Sequence, residues 1–380
     1  LSSSIIGGME ITASLNRESR PGAGRDKGVA KVLSLFSGSL ASRVATRLVE
    51  QCPEVTSVHL LHFRSPFSRE FGELRQLVKT EWSRNVFRTQ SIKKEYRRLV
   101  GISPDGEFSL SRSCSTCRSL LLAKAVRYME RIGADYVVTG EIPGKHALNM
   151  DQILSISDRF DATRRVLRPL CSGIPPRDGG SVAAWADGRA RTSSSAGWHD
   201  RLRGLAAEMG LRPDDPLDSC RRCKLTTPGF GDRVASLFGE NGFTLNALRL
   251  LDFECFYKVD PDVKIVLARD ESEKRELQTL FLPQDLRVYP STPHGPMTLV
   301  RTDWSTKRDA ERKAVIEFAA RITATFVGPG RAALIPIYYR LEMEDETLLL
   351  NSVPFGSLDE IGRFAHVEVI PLELTEVPVA

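Results

Sequence analysis

Apolar positions in the first half of the chain switch repeatedly between two periods. Residues 31–36, 57–63 and 134–139 are compact apolar runs of the kind that form buried strands, and 166–170 is a shorter one. Between them lie stretches with helical spacing. Residues 41–51 carry Val44, Ala45, Leu48 and Val49 on one face, 71–87 follows the same period, and 118–132 places Leu120, Leu121, Ala125 and Met129 together. Strand and helix in alternation predict an α/β fold, a doubly wound parallel sheet with helices on both faces. Ligands of such sheets bind beyond the carboxyl ends of the strands. Residues 178–197 are rich in Gly, Ser, Ala and Arg and read as a linker, followed by a short helix over 199–209. From 216 the pattern becomes α+β, with strands over 263–268, 297–301 and 333–341 and helices over 271–280 and 309–323. The expected organisation is a disordered extension (1–28), a parallel-sheet domain (29–176), a linker with one helix (177–215), a smaller α+β domain (216–355) and a tail (356–380).

Composition narrows the picture modestly. Of 380 residues, 41% are hydrophobic and 27% charged, as in water-soluble globular domains. No apolar run reaches the length of a membrane span. The first residues have no apolar core of the secretory kind, which gives a cytoplasmic expectation. The formal net charge is +5, and of 53 basic residues 40 are Arg. Arg forks suit phosphates and base edges, so the composition leans towards nucleic acid, although GC-rich coding alone also enriches Arg. Seven cysteines, an odd number in a long chain, argue against a disulfide framework.

The chemistry concentrates at a few places. Ser37-Gly38-Ser39-Leu40-Ala41-Ser42 follows the first strand and opens the first helix, which aims backbone N–H groups and hydroxyls at a phosphate. It resembles the PP-loop, S-G-G-x-D-S, of the ATP pyrophosphatase class. Ser37, Gly38 and Ser42 match; Ser39 replaces the second glycine and Ala41 the aspartate. If the second glycine position needs positive φ, Ser39 costs about 1–2 kcal/mol there. At Ala41 there is no carboxylate to help hold a magnesium ion, and Glu141 or Asp135 compensates only if the fold brings it near.

Farther along come Cys114-Ser115-Thr116-Cys117 before a helix, Thr139-Gly140-Glu141 at a strand end, Arg168-Pro169-Leu170, and Cys223-Lys224-Leu225-Thr226-Thr227-Pro228. In this order the segments resemble the tRNA thiouridylase family, 2-thiouridine and 4-thiouridine synthases often labelled tRNA methyltransferases. The resembling branch carries a C-terminal domain similar to the NFACT-type RNA-binding domain. Here Ala268-Arg269-Asp270-Glu271 and Gly295-Pro296-Met297-Thr298-Leu299-Val300 are similar to its segments. The resemblance implies an ATP- and Mg²⁺-dependent sulfurtransferase acting on tRNA, with sulfide or a sulfur donor protein as partner. Ser37, Gly38, Ser39, Ser42, Gly140 and Glu141 would hold the nucleotide, and Cys114, Cys117 and Cys223 would handle sulfur.

The cysteines leave several readings open. Cys114, Cys117 and Cys223 are three ligands for a [4Fe–4S] cluster with one open iron. With Cys220 they make C-x-x-C…C-x-x-C, a full thiolate set for Zn²⁺ if the pairs converge. They also suit persulfide chemistry without metal, or one pair is incidental. Arg221, Arg222, Lys224 and Arg233, near Phe230, form a basic cluster suited to an RNA backbone or simply to solvent. Lys145, after Gly144 and before His146, is a candidate phosphate contact. His59 and His62 sit among apolar strand residues and read as structural. The rival functions are a catalytically degenerate PP-loop protein that binds RNA, and a cluster-bearing enzyme that moves sulfur without ATP.

Overall fold

The computed structural model describes residues 29–68, 72–92, 95–142, 149–160, 165–171, 198–212, 223–237, 243–259, 262–327, 334–363 and 367–369. The candidates Gly144, Lys145, His146, Cys220, Arg221 and Arg222 lie outside these residues, as do residues 1–28 and the linker over 178–197.

The first half is a five-stranded parallel sheet. Its elements run β1 (Ala30–Leu35), α1 (Leu40–Glu50), β2 (Val55–Arg64), α2 (Gly72–Glu81), β3 (Val86–Ser91), α3 (Leu110–Arg131), β4 (Tyr136–Val138), α4 (Met150–Asp158) and β5 (Val166–Leu167). The strand order is β3-β2-β1-β4-β5, and every neighbouring pair is parallel. Alternation along β1 explains the two covered faces. Val32 packs with α1, α2 and α5 (Trp198–Glu208), whereas Leu33 packs with Leu122, Ala125 and Met129 of α3 and Ile156 of α4. Both residues are fully buried, as in sheets sandwiched between helices.

Two local differences from the sequence reading matter. Residues 71–87, expected as one helix, divide into α2 and the edge strand β3, whose polar residues Arg88, Thr89 and Gln90 hide the strand pattern. Helix α3 starts at Leu110 rather than near 118, capped by the Ser109 side chain, which accepts a hydrogen bond from the Arg112 amide. Cys114 and Cys117 therefore lie inside the helix and not ahead of it.

The second half begins with α6 (Phe230–Ala235) and α7 (Leu245–Leu250). It continues through β6 (Cys255–Val259), β7 (Val263–Ala268), α8 (Glu271–Gln278), β8 (Leu286–Pro290), β9 (Met297–Arg301), α9 (Asp309–Thr325), β10 (Ile335–Leu341), β11 (Leu348–Ser352), α10 (Leu358–Gly362) and β12 (Val367–Val369). These strands form a seven-stranded antiparallel sheet ordered β11-β10-β8-β9-β7-β6-β12. Its last edge strand comes from 367–369, inside the segment expected as a tail. Helix α9 covers one face, over Ile265, Val288, Val300 and Ile337. The other face is buried differently. Phe256, Val266, Ala268 and Leu299 share a core with Leu225, Phe230, Val234 and Leu248, and also with Phe67, Ile92, Tyr96 and Leu99 from the first half. The two sheets are thus joined by one continuous apolar core.

Arg233 is buried inside that joint and corrects an expectation. Its guanidinium donates to the carbonyls of Leu251 (3.0 Å), Phe253 and Glu254 (2.7 Å), and burial pushes its pKa down to about 10. A guanidinium with no exposed surface, holding three carbonyls, does not contact RNA. Among the described residues no helix is long and apolar enough to cross a membrane.

Replacing Arg233 by Ala strands those carbonyls and opens a void. Arg233→Ala is expected to lower unfolding stability by about 2–4 kcal/mol, read from the urea midpoint. In protein still folded, RNA affinity should be unchanged; a selective loss of RNA binding at wild-type stability overturns the structural role.

Candidate functional site

Strand β1 delivers the chain to the sheet's carboxyl edge at Ser37. Gly38 has φ +85°, the left-handed region open to glycine. Ser39 does not: it is the N-cap of α1 with φ −62° and ψ 154°, which any residue adopts. The expected strain at Ser39 is therefore absent, because the left-handed turn is made one residue earlier. The Ser39 side chain accepts from the Ser42 amide (3.4 Å) and lies 2.9 Å from Ser37 Oγ. Ser37 Oγ donates to Ser42 Oγ (3.2 Å), and Ser42 Oγ donates to the Ser39 carbonyl (2.9 Å). Three hydroxyls thus close the loop at the positive end of the α1 dipole, with no acidic residue in the first turn.

The end of β4 presses against this loop. A Cβ on Gly140 would stand 2.7 Å from Ala41 C and Ser42 N, both backbone, so only glycine allows the approach. The next residue, Glu141, is buried and surrounded by donors. Arg118 Nη1 (3.1 Å) reaches Oε1; Arg168 Nε (2.9 Å) and Thr139 Oγ1 (3.0 Å) reach Oε2. Burial alone would raise the Glu141 pKa, but Arg118, Arg168 and these hydrogen bonds hold its carboxyl below the usual range. Arg168 also donates to Ser157 of α4, and the Cys171 thiol donates to the Glu141 carbonyl (3.2 Å). Glu141 is thus committed to two arginines and does not replace the carboxylate missing at Ala41. Asp135 cannot either. It accepts from the Lys31 amide (2.9 Å) at the opposite end of β1, about 15 Å along the strand.

A cavity of about 240 Å³ opens between this edge and the joint with the second half. Ser37, Ser39, Ala41 and Ser42 line one side, with Gly140 and Glu141 beside them. Cys114 and Cys117, one helical turn apart on α3, line another, and Cys223 a third. Cys223 reaches it because its segment pairs with the chain after β2: Ser68 bridges to Cys223, and the Lys224 amide donates to the Phe67 carbonyl (2.8 Å). The walls between are apolar, with Leu35, Leu61, Phe63 and Leu121 among them.

The thiols share one environment. Burial pushes Cys117 up to about 12, with Cys223 and Cys114 adding to the rise and Arg118 opposing it. Burial also raises Cys114, again opposed by Arg118. At neutral pH both are thiols and not thiolates. Among the described residues no three His, Cys, Asp or Glu side chains are arranged to hold a metal ion, and Cys220, the fourth member of the expected zinc set, lies outside them.

Two further residues noted in the sequence have other partners. Lys224 pairs with Asp252 beside the joint. His62 lines the cavity but places Nδ1 3.0 Å from the Phe36 carbonyl, a structural contact. The residues overlooked in the sequence are Arg118 and Arg168. The first follows the C-x-x-C directly, and the second opens Arg168-Pro169-Leu170, so both stood next to signals already noted.

Comparison with known proteins adds a family to part of the chain. Residues 256–355 match the family model described as the NFACT protein RNA binding domain. That span runs from β6 to just beyond β11. Among solved structures, the C-terminal part of the fibronectin/fibrinogen-binding protein from Streptococcus suis is 12% identical, covering 66% of this chain and 96% of that one, with TM-score 0.24. A predicted subunit of tRNA methyltransferase from Methanocaldococcus jannaschii is 15% identical, covering 49% of this chain and 90% of that one, with TM-score 0.28. No curated protein matches the chain.

Two consequences of the geometry are measurable by denaturation. Ser39→Gly should change stability by only a few tenths of a kcal/mol, since an unstrained cap is lost and no strain is relieved. Gly38→Ala should cost about 1–2 kcal/mol. A clear gain on Ser39→Gly contradicts the cap assignment. For Glu141, a folded pKa below the unfolded one means stabilisation that is complete above about pH 5 and is lost as pH falls through the folded value. Glu141→Gln should cost about 3 kcal/mol at neutral pH and flatten the acid side of the stability profile.

Proposed function

We propose that this protein acts on RNA as a tRNA sulfurtransferase of the thiouridylase type. The observation that carries the reading is the single cavity that brings the Ser37–Ser42 loop to Cys114, Cys117 and Cys223. The match of residues 256–355 to an RNA-binding family model supports the choice of RNA as the substrate class.

In this reading ATP is the co-substrate. Backbone amides at the start of α1 and the hydroxyls of Ser37, Ser39 and Ser42 take its phosphates, and Mg²⁺ accompanies it. Arg118, at the cavity wall, offers the cationic side chain. A uracil carbonyl oxygen is a poor leaving group. Transfer of AMP to that oxygen releases pyrophosphate and makes the oxygen part of a good one. Sulfur then attacks the ring carbon, the carbon–oxygen bond breaks, AMP departs, and C=S remains. The apolar walls exclude water, which would otherwise return the activated carbon to uridine. Sulfide attacks the ring carbon directly as HS⁻ and needs no cysteine. A donor protein's persulfide instead passes its outer sulfur to a cavity cysteine, releasing the donor's thiol. A second cavity cysteine then frees that sulfur onto the ring by closing a disulfide, which an added thiol reductant reopens.

A second reading rests on a different observation: Ala41 supplies no carboxylate, and both oxygens of Glu141 are taken by Arg118, Arg168 and Thr139. It holds that the loop no longer uses ATP and that the protein binds RNA without turning it over. Because Ser39 is unstrained, this reading places the whole defect at position 41.

One assay separates the two. Purified protein is incubated without oxygen with ATP, Mg²⁺, sulfide and unmodified tRNA. The first reading expects thionucleoside together with equal amounts of AMP and pyrophosphate, and with a persulfide donor and a thiol reductant in place of sulfide Cys117→Ser should lower it by at least about tenfold. Folded protein that yields neither product overturns it. The second reading then expects Ala41→Asp to create ATP binding where the wild type has none, measured by calorimetry.

A further inference from the structure

The exposed apolar surface of the second sheet is concentrated at one place. Among the described residues, Leu334, Met343, Leu348, Leu349 and Val353 are all exposed, and all belong to the β10–β11 hairpin or its flanks. Strand β11 is the sheet edge. It pairs with β10 on one side, from Ile335↔Ser352 to Tyr339↔Leu348, and no described strand pairs with the other. Every second backbone N–H and C=O of an edge strand points outward, a template for one more strand. The usual protections are missing here: residues 348–352 contain no proline, no lysine and no bulge in the pairing with β10.

The charge beside this edge selects the occupant. The turn between β10 and β11 carries Glu342, Glu344, Asp345 and Glu346. Glu342 is held by Arg287 through two hydrogen bonds of 2.9 and 2.8 Å. The side chains of Glu344, Asp345 and Glu346 are exposed, and no described cation pairs with them. Three unpaired carboxylates stand at the mouth of an apolar edge in a chain whose overall formal charge is +5. Phosphates are repelled there, and lysines or arginines are attracted.

We infer that the outer edge of β11 is a docking site for an extended, basic polypeptide segment, which adds as an eighth strand to the sheet. Main-chain hydrogen bonds to residues 348–352 supply the pairing. Leu349 and its neighbours receive apolar side chains on one face, and the carboxylates of 344–346 meet the segment's cationic residues. This surface lies on the second sheet and is independent of the cavity and of the reaction assigned to it. It also predicts that RNA avoids this edge.

The test uses the full chain and a fluorescein-labelled nonapeptide of alternating Lys and Val, read by fluorescence anisotropy at low salt. The expected result is saturable binding that falls at least about tenfold in the exposed triple variant Glu344→Lys/Asp345→Lys/Glu346→Lys. A similar fall is expected for a peptide of the same sequence N-methylated at alternate residues. Leu349→Lys should weaken it as well, with unchanged circular dichroism confirming that the variant is folded. Any of these outcomes overturns the inference: no saturable binding; equal binding of a Glu/Val nonapeptide; full binding of the N-methylated peptide; or competition by an eight-nucleotide single-stranded RNA that the triple variant binds less tightly. Self-association of the wild type that Leu349→Lys abolishes would assign the edge to a second copy instead, and overturns it equally.

Discussion

The buried carboxylate of Glu141 is the contact on which the site depends. It is reached by Arg118 from α3, by Arg168 from beyond β5 and by Thr139 from the end of β4, so three elements meet at its two oxygens. Through Arg168 the network extends to Ser157 on α4, and through its own carbonyl to Cys171. A buried carboxylate between two guanidinium groups is costly to break, because each partner then stands uncompensated in a dry interior. The adjacent Gly140 carries this rigidity to the loop, since its missing side chain lets the β4 end touch the backbone of Ala41 and Ser42. The Ser37–Ser42 loop is thus fixed from behind by an ion network and not by its own sequence alone.

The second constraint is the apolar joint between the sheets. Phe67, Tyr96 and Leu99 from one half and Leu225, Phe230 and Phe256 from the other are buried in one apolar cluster, so separating the halves would expose it to water. This explains how Cys223, over a hundred residues from Cys114, comes to line the same cavity. The chain from Phe67 to Ser68 receives the Cys223 segment as a short antiparallel bridge, and Arg233 fastens the following helix to the carbonyls ahead of β6. The cavity therefore takes its lining from both halves, and a truncation at the joint removes one of its walls.

Much of this was legible in the chain, for identifiable reasons. The parallel sheet followed from the apolar runs of β1, β2 and β4, whose Val32, Leu33, Leu60, Leu61, Val137 and Val138 are fully buried. Strand β3 was hidden because an edge strand is half solvated and reads Val-Phe-Arg-Thr-Gln-Ser. The start of α3 was hidden because its first turns are rich in Ser, Thr and Cys, poor helix formers held by a cap and by tertiary packing. The loop and the thiols were visible as motifs, whereas Arg118 and Arg168 were not recognised, since a buried ion pair leaves no periodic trace. Arg233 illustrates the reverse error: an arginine in a basic cluster looks like a surface group until its carbonyl partners are seen.

The charge balance around the cavity bears on what it accepts. One carboxylate, Glu141, faces two guanidinium groups, so the network keeps one surplus positive charge. Arg168 Nη1 is buried without a hydrogen-bond partner among the described residues, and Arg118 remains partly exposed at the cavity wall. The N-terminus of α1 adds partial positive charge from the other side. An aspartate at position 41 would offset this field; alanine leaves it intact. Compared with an aspartate there, alanine leaves the cavity more attractive to a bare anion. With Ser39 free of strain, alanine at position 41 would, on the proposed reading, bear on metal-assisted turnover far more than on anion binding.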